Sequence, residues 1–214
     1  LAKVPTKSVS FDFYPLINKH DLQYNFYKNL DLVRVKTLNL RKPFWAITQA
    51  GPIGTGTIDP TEVEQRWSVW ANIAMGSKGI SYFTYWTPPA EANLGPVGFM
   101  VLRDGTKRDI YYWIKKINSD IKTIGKKLLY CHADGCLMSS VTYPLWSNGG
   151  VGRTKYGPIK KVSTLNNSVI CGCFRDARPS MNGDNYKGYK ALVLSKVHNW
   201  DVDAVLEIDN VVTE

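Results

Sequence analysis

The sequence predicts an α/β fold with an all-β addition: parallel β/α units over residues 1–126, then a small antiparallel β-sandwich over residues 127–214. Three observations carry this expectation. Short apolar runs alternate three times with amphipathic helical stretches. The strand-like runs read as buried and their connections as helical, which favours parallel pairing over hairpins. Near residue 127 the texture changes to short strand-like runs separated by Gly, Ser and Asn, the pattern of antiparallel sheets.

The first unit opens with SVSFDFY, residues 8–14. Val9, Phe11 and Phe13 alternate with Ser8, Ser10, Asp12 and Tyr14, giving one apolar and one polar face. A helix is predicted from about Asp21 to Leu40, with Leu22, Phe26, Leu30 and Val33 as its apolar stripe. PFWAITQ, residues 43–49, is the second strand, followed by the glycine-rich GPIGTGT. The next helix is predicted from about Pro60 to Met75. Asp59-Pro60-Thr61-Glu62 and Thr61-x-x-Glu64 both read as capping boxes, and Pro60 suits a first helical position. Val63, Trp67, Trp70, Ala71 and Ala74 form its expected buried face, and Gly76 its stop. GISYFTYW, residues 79–86, is the third strand. Its helix is expected near Asp109–Ile124, with Ile110, Trp113, Ile114, Ile117, Ile121 and Ile124 inward. Beyond residue 127, KVSTL, SVICGCF, YKALVLS and DAVLEI are the expected strands.

The 214 residues are enough for one large domain or two small ones. The formal net charge of +9 raises a nucleic-acid reading, which its distribution opposes. Residues 103–127 hold eight Lys or Arg against three Asp, mostly along one amphipathic helix, and the last stretch, 191–214, is net acidic. No nucleic-acid motif accompanies the charge, so no nucleic-acid partner is expected. No apolar run approaches the roughly 20 residues of a membrane span, and no membrane partner is expected. The compartment stays open.

The cysteines are Cys131, Cys136, Cys171 and Cys173. A C-x4-C with a distant C-x-C is not a standard zinc spacing, and the nearby His132 does not repair it. Buried inert thiols are the expectation, with a Cys131–Cys136 disulfide or a metal site as alternatives. GPIGTGT lacks a following Gly-Lys-Ser/Thr, so it reads as a flexible loop rather than a phosphate cradle. No metal and no cofactor is expected.

Polar and aromatic groups gather at the carboxyl ends of all three predicted strands: Asp12, Tyr14 and Pro15, then Thr48 and Gln49, then Tyr85 and Trp86. That end is where β/α barrels build their sites, because the βα loops meet there. A flat indole suits stacking on the C–H face of a sugar, and Asp, Gln and Tyr suit its hydroxyls. Glu62 and Glu64 are read as helix caps and Glu91 as a solvated loop residue.

FDFYPL, KPFWAITQAGP, PTEVEQRWSVWANIAMGSKGISYFTYWTPP and DGTKRDIYYWIKKINSDIK, in this order, resemble the second half of a clan A glycoside hydrolase barrel. The pattern is similar to the family 42 β-galactosidases and their bacterial relatives, over about residues 8–122. The resemblance implies a partial TIM-type (β/α) barrel of about three units, corresponding to strands six to eight. It implies a carbohydrate substrate, with Trp86 as the floor of the sugar subsite and Asp12, Tyr14 and Gln49 nearby. The remainder resembles only loosely the β-domain that commonly follows such barrels.

The resemblance also implies two carboxylates roughly 5–5.5 Å apart for a retaining mechanism. The family's nucleophile is a Glu near the end of strand seven, where Thr48 stands here, followed by Gln49. The acid/base Glu belongs to a strand this chain does not contain. Asp12 is then the local catalytic candidate, weighed against a plain hydrogen-bonding role. Three readings follow: one wall of a glycosidase site completed by the missing amino-terminal half of the barrel or by self-association, a non-catalytic carbohydrate-binding pseudoenzyme, or a barrel serving another chemistry.

Overall fold

The computed structural model describes residues 5–17, 21–22, 25–54, 56–89, 98–138, 159–163, 169–176, 189–195 and 205–208. The fold is mixed α/β, with one three-stranded parallel sheet, small antiparallel sheets and, among the described residues, no closed barrel. Strands β1 (Val9–Asp12), β4 (Phe44–Gln49) and β5 (Gly79–Phe83) form the parallel sheet in sequential order. Helices α1 (Phe26–Asn39), α2 (Glu62–Ala74) and α3 (Asp109–Leu128) follow those strands in turn.

Helix α1 starts later than the sequence predicts. Asp21–Leu22 forms a short strand, β3, that pairs antiparallel with β2 (Leu16–Ile17). This pairing takes Leu22 out of the expected stripe. The helix stops at Arg41, whose φ of 52° is left-handed. Helix α2 begins at a true capping box. The Thr61 hydroxyl accepts from the Glu64 amide, and the Glu64 carboxylate accepts from the Thr61 amide at 2.8 Å. It ends at Gly76, whose φ of +98° few other residues tolerate. Helix α3 runs to Leu128, a turn past its predicted end. Lys78 holds that end: its ammonium donates to Leu128 O at 2.7 Å and to Cys131 O. Burial lowers the Lys78 pKa despite those contacts.

All three helices pack on one face of the parallel sheet. Phe26, Leu30, Phe44, Ala46, Trp67, Ala71 and Met75 make one core, with Val9, Phe11 and Ile80 against it. Val69, Trp70, Ile73 and Ile117 make a second, against Ile80 and Tyr82. The paired register therefore sorts the strands into two faces. Val9, Phe11, Phe44, Ala46, Thr48, Ile80 and Tyr82 face the helices. Ser10, Asp12, Trp45, Ile47, Gln49, Gly79, Ser81 and Phe83 face the other way.

A second layer lies outside the helices. Strands β6 (Cys131–Met138), β8 (Val169–Asp176) and β9 (Tyr189–Ser195) form an antiparallel sheet. Strands β7 (Ile159–Ser163) and β10 (Val205–Ile208) form a separate antiparallel pair. The sequence reading missed β6, whose CHADGCLM carries neither clean alternation nor β-branched residues. β6 packs on α1, while β8 and β9 pack on α2. Cys136 and Ile170 join the core of Trp67 and Ala71. Strand β8 comes so close to α2 that a Cβ at Gly172 would collide with Ala74 O.

Two expectations change as a result. Helix α2 is buried on nearly every side, with only Glu62, Val63 and Arg66 outside the buried set. Val63, expected inward, is exposed in the first turn of the helix. On α1 the polar Asp31, Arg34 and Thr37 are buried, because β6 covers the side that an apolar stripe does not use. All four cysteines are free and buried. Cys131 and Cys136 lie five residues apart on one extended strand, roughly 16 Å at strand rise. That exceeds the reach of a disulfide, so this alternative falls. Burial pushes the Cys136 thiol pKa well up, leaving it inert.

Candidate functional site

The chain direction fixes what meets at the carboxyl end of the parallel sheet. Each helix returns antiparallel to its strand, so the amino ends of α2 and α3 lie at that end with their partial positive charge. Arg108 clamps the two together. Its guanidinium donates to the Asp59 carboxylate before α2 and, at 2.6 Å, to Gly98 O in the loop after β5. The same loop is tied to the end of β5. Thr87 Oγ1 donates to Val101 O at 2.8 Å and accepts from Phe99 N at 2.9 Å.

Asp12 is exposed on the face turned away from the helices. It is the single carboxylate that the three paired strands place there. Tyr14 stands two residues on. Burial first, and the Asp12 charge second, raise its pKa above the usual 10.0. Its ring lies 5.9 Å from that of Phe83. Strand β4 separates β1 from β5, so this contact passes over the end of β4, where Gln49 sits. Phe99 extends the roof, 5.9 Å edge-on to Phe83.

That roof explains why Gln49 is only 1% exposed. Its Nε2 donates to Ile58 O at 2.5 Å, which anchors the glycine-rich loop. Its Oε1 is buried with no partner among the described residues. An amide oxygen in that condition is an unmet acceptor, costly unless a donor arrives.

Thr48 takes the other direction. It is fully buried on the helix face, and its hydroxyl donates to Ser81 O at 3.3 Å. Tyr85 and Trp86 also part company. Trp86 is 47% exposed and bridges Val101 through its backbone. Tyr85, 54% exposed, leans on Tyr111 of α3 at 6.3 Å and lines a cleft on the outer flank of β5.

The structure thus brings Asp12, Tyr14 and Gln49 to one face, with Trp86 at the end of the adjoining strand. It turns Thr48 away and directs Tyr85 outward. Phe83, Phe99 and Arg108 are additions that the sequence reading missed. The parity of Phe83 with Ser81 and Gly79 was a usable signal for the first, once the register with Gln49 is known. Phe99 and Arg108 act through contacts distant in sequence, which no local pattern reveals.

Among the described residues, no group of three or more His, Cys, Asp or Glu side chains is placed to hold a metal ion. No helix among them is long and apolar enough to cross a membrane. Compared with known protein families and with curated proteins, the sequence matches none.

Proposed function

We propose that this chain is the carboxyl-terminal part of a glycoside hydrolase-type (β/α)8 barrel, followed by a β-sandwich, and that it supplies one wall of a carbohydrate site. The observation that carries the reading is the one-sided helix layer. Doubly wound parallel sheets place helices on both faces, whereas barrels place them all outside. Here three sequential parallel strands keep every helix among the described residues on one side. The opposite face presents Trp45, 47% exposed, together with Ile47 and Phe83. Parallel sheets are stable when both faces are covered, so further strands belong against this one. The sequential resemblance to strands six to eight supports the same arrangement.

Within that barrel Trp86 stacks against a sugar ring, Asp12 and Tyr14 address its hydroxyls, and the unmet oxygen of Gln49 accepts from a hydroxyl that reaches beneath the aromatic roof. Hydrolysis needs a second carboxylate. Neither Thr48 nor Gln49 provides one, so the rest of the barrel must. The carbohydrate-binding pseudoenzyme remains the second reading, favoured by one observation: Asp12 stands as the lone carboxylate on the sheet's open face.

The test is to assay the chain joined to the remainder of its barrel on aryl galactosides, glucosides and arabinosides, with glycan binding measured in parallel. Turnover that Asp12→Asn abolishes supports the hydrolase. Binding without turnover supports the pseudoenzyme. Neither binding nor turnover removes the carbohydrate reading.

A further inference from the structure

The parallel sheet ends at β5, and among the described residues no strand pairs with its outer edge. Its bonds to β4 show which backbone groups that edge presents. Phe83 O accepts from Ala50 N at 2.8 Å, so Phe83 and, by alternation, Ser81 turn their backbone groups toward β4. Ile80 and Tyr82 turn theirs outward. The chain covers its own edge only further on, where Val101 N donates to Tyr85 O and Thr87 N to Val101 O, both at 2.9 Å. Open strand edges are templates for another strand.

Beside this edge runs a cleft of about 680 Å³ between β5 and α3, lined among others by Tyr85, Met100, Tyr111, Ile114, Lys115 and Lys122. The Tyr82 hydroxyl crosses from strand to helix and donates to Asn118 Oδ1 at 2.6 Å. A smaller hollow of about 70 Å³ lies where β5 begins, with Ile121, Ile124 and Leu128 against Gly79 and Ile80. Leu129, another of its walls, is 54% exposed. Lys115 and Lys122 are seven residues apart on α3, about two turns, and so share one side of the helix. Neither has a carboxylate partner among the described residues, whereas Arg66 pairs with Asp120 and Arg108 with Asp59.

The three features select one kind of occupant. A parallel strand satisfies the outward backbone groups of Ile80 and Tyr82. A right-handed crossover then puts the helix that follows it on the α3 side of the sheet. There it meets the two lysines. We infer that the outer flank of β5 seats a parallel strand and its following helix from the rest of the barrel, and that this helix turns carboxylates toward Lys115 and Lys122. Apolar side chains of the same unit cover Leu129 and the hollow at the foot of β5. Opposite charge across such a seam fixes register and rejects other partners more than it adds affinity. The inference rests on the barrel reading and adds the chemistry of the partner where the cylinder closes.

Amide hydrogen exchange, resolved by residue, tests it in the chain joined to the remainder of its barrel. Ile80 and Tyr82 are expected to exchange within about tenfold of Ser81 and Phe83, as paired amides do. Lys115→Glu/Lys122→Glu is expected to speed Ile80 and Tyr82 by about tenfold or more at low salt, relative to Phe83. Added salt narrows the effect. Lys116→Glu/Lys127→Glu makes the same charge change at exposed positions that do not line the cleft, and is expected to leave both amides slow. If Ile80 and Tyr82 are slow but the two double variants behave alike, the acidic partner is overturned and the barrel reading stands. Slow exchange that depends on protein concentration assigns the edge to a second copy and also overturns the inference. If Ile80 and Tyr82 exchange freely, no strand covers β5, and the barrel reading falls with it.

Discussion

Asp31 and Arg34, three residues apart on α1, form an ion pair at 2.6 Å that is almost wholly removed from solvent. The same guanidinium donates to Ala133 O at 3.0 Å and Asp134 O at 2.9 Å, so a single side chain joins α1 to β6. Arg34→Met strands a buried carboxylate and two carbonyls, and is expected to cost about 3–5 kcal/mol in urea denaturation. The double variant Asp31→Leu/Arg34→Met removes both charges and is expected to cost less than the single one. A double variant worse than Arg34→Met would mean that the pair stabilises the fold in its own right.

Two glycines are expected to respond in opposite directions to alanine. Gly172 has no room, because its added methyl meets the backbone of Ala74, and overpacking there should cost about 1–3 kcal/mol. Gly125 lies inside α3, where the nearest atom to an added Cβ is Ile121 Cγ2 at an ordinary 3.9 Å. Alanine there should stabilise by about 0.5–1 kcal/mol through helix propensity. Paired thermal melts decide both signs.

Three tryptophans separate stacking from packing. Trp67, 4% exposed in the main core, should lose about 3–5 kcal/mol of stability as Trp67→Ala. Trp86→Ala should leave stability within about 0.5 kcal/mol and weaken sugar binding by about tenfold or more. Trp113→Ala, packed at the edge of the α3 core, serves as the control. Equal binding losses in Trp86→Ala and Trp113→Ala would assign the indole of Trp86 to structure.

Thr48 and Asp12 stand one strand apart yet address different environments. Thr48→Val gives up one hydrogen bond to Ser81 O and should cost about 0.5–1.5 kcal/mol without altering glycan affinity. Asp12→Asn should do the reverse, with stability unchanged and affinity or turnover reduced. Calorimetry and denaturation on the same two variants test the pair.

Alkaline pH should weaken the fold through two phenols. Burial raises the pKa of both Tyr14 and Tyr82 above the ordinary 10.0, and Asp12 adds to the rise at Tyr14. The folded chain then keeps protons that the unfolded chain releases. That contribution is intact below about pH 10, begins to fall above it, and is lost as pH passes the raised folded values. Urea midpoints followed from about pH 9 upward should show the decline. Asp12→Asn should bring the Tyr14 titration down only in part, since burial is the larger cause. A complete return to the ordinary value would make Asp12 the dominant influence.

Periodicity carried most of the helices and strands. Trp67, Trp70, Ala71 and Ala74 were legible as buried because they recur at helical spacing, and Thr61 with Glu64 because a capping box is local. What escaped depends on partners far along the chain. Val63 reads as an inward residue by its spacing, yet it is exposed. Arg34 lies outside the predicted apolar stripe, and its burial comes with β6, a hundred residues away. At the site, strand parity placed Asp12 correctly with Tyr14, but Thr48 and Gln49 are neighbours that point to opposite faces. The register with β5 is needed to see which one faces the helices. Tyr85 and Trp86 look like one pair in sequence, and only the position of Tyr111 shows that Tyr85 belongs to the flank.

Helix α2 is a filling between two slabs rather than a cover over one. Its polar side chains Gln65, Ser68 and Asn72 are buried, and strands that come after residue 127 pack on it, although the composition changes character at that point. A version of the protein cut there would therefore not be a smaller copy of the amino-terminal half. It would bare the flank of its middle helix on which β8 and β9 pack, and with it the greasy core edge that Cys136 and Ile170 fill.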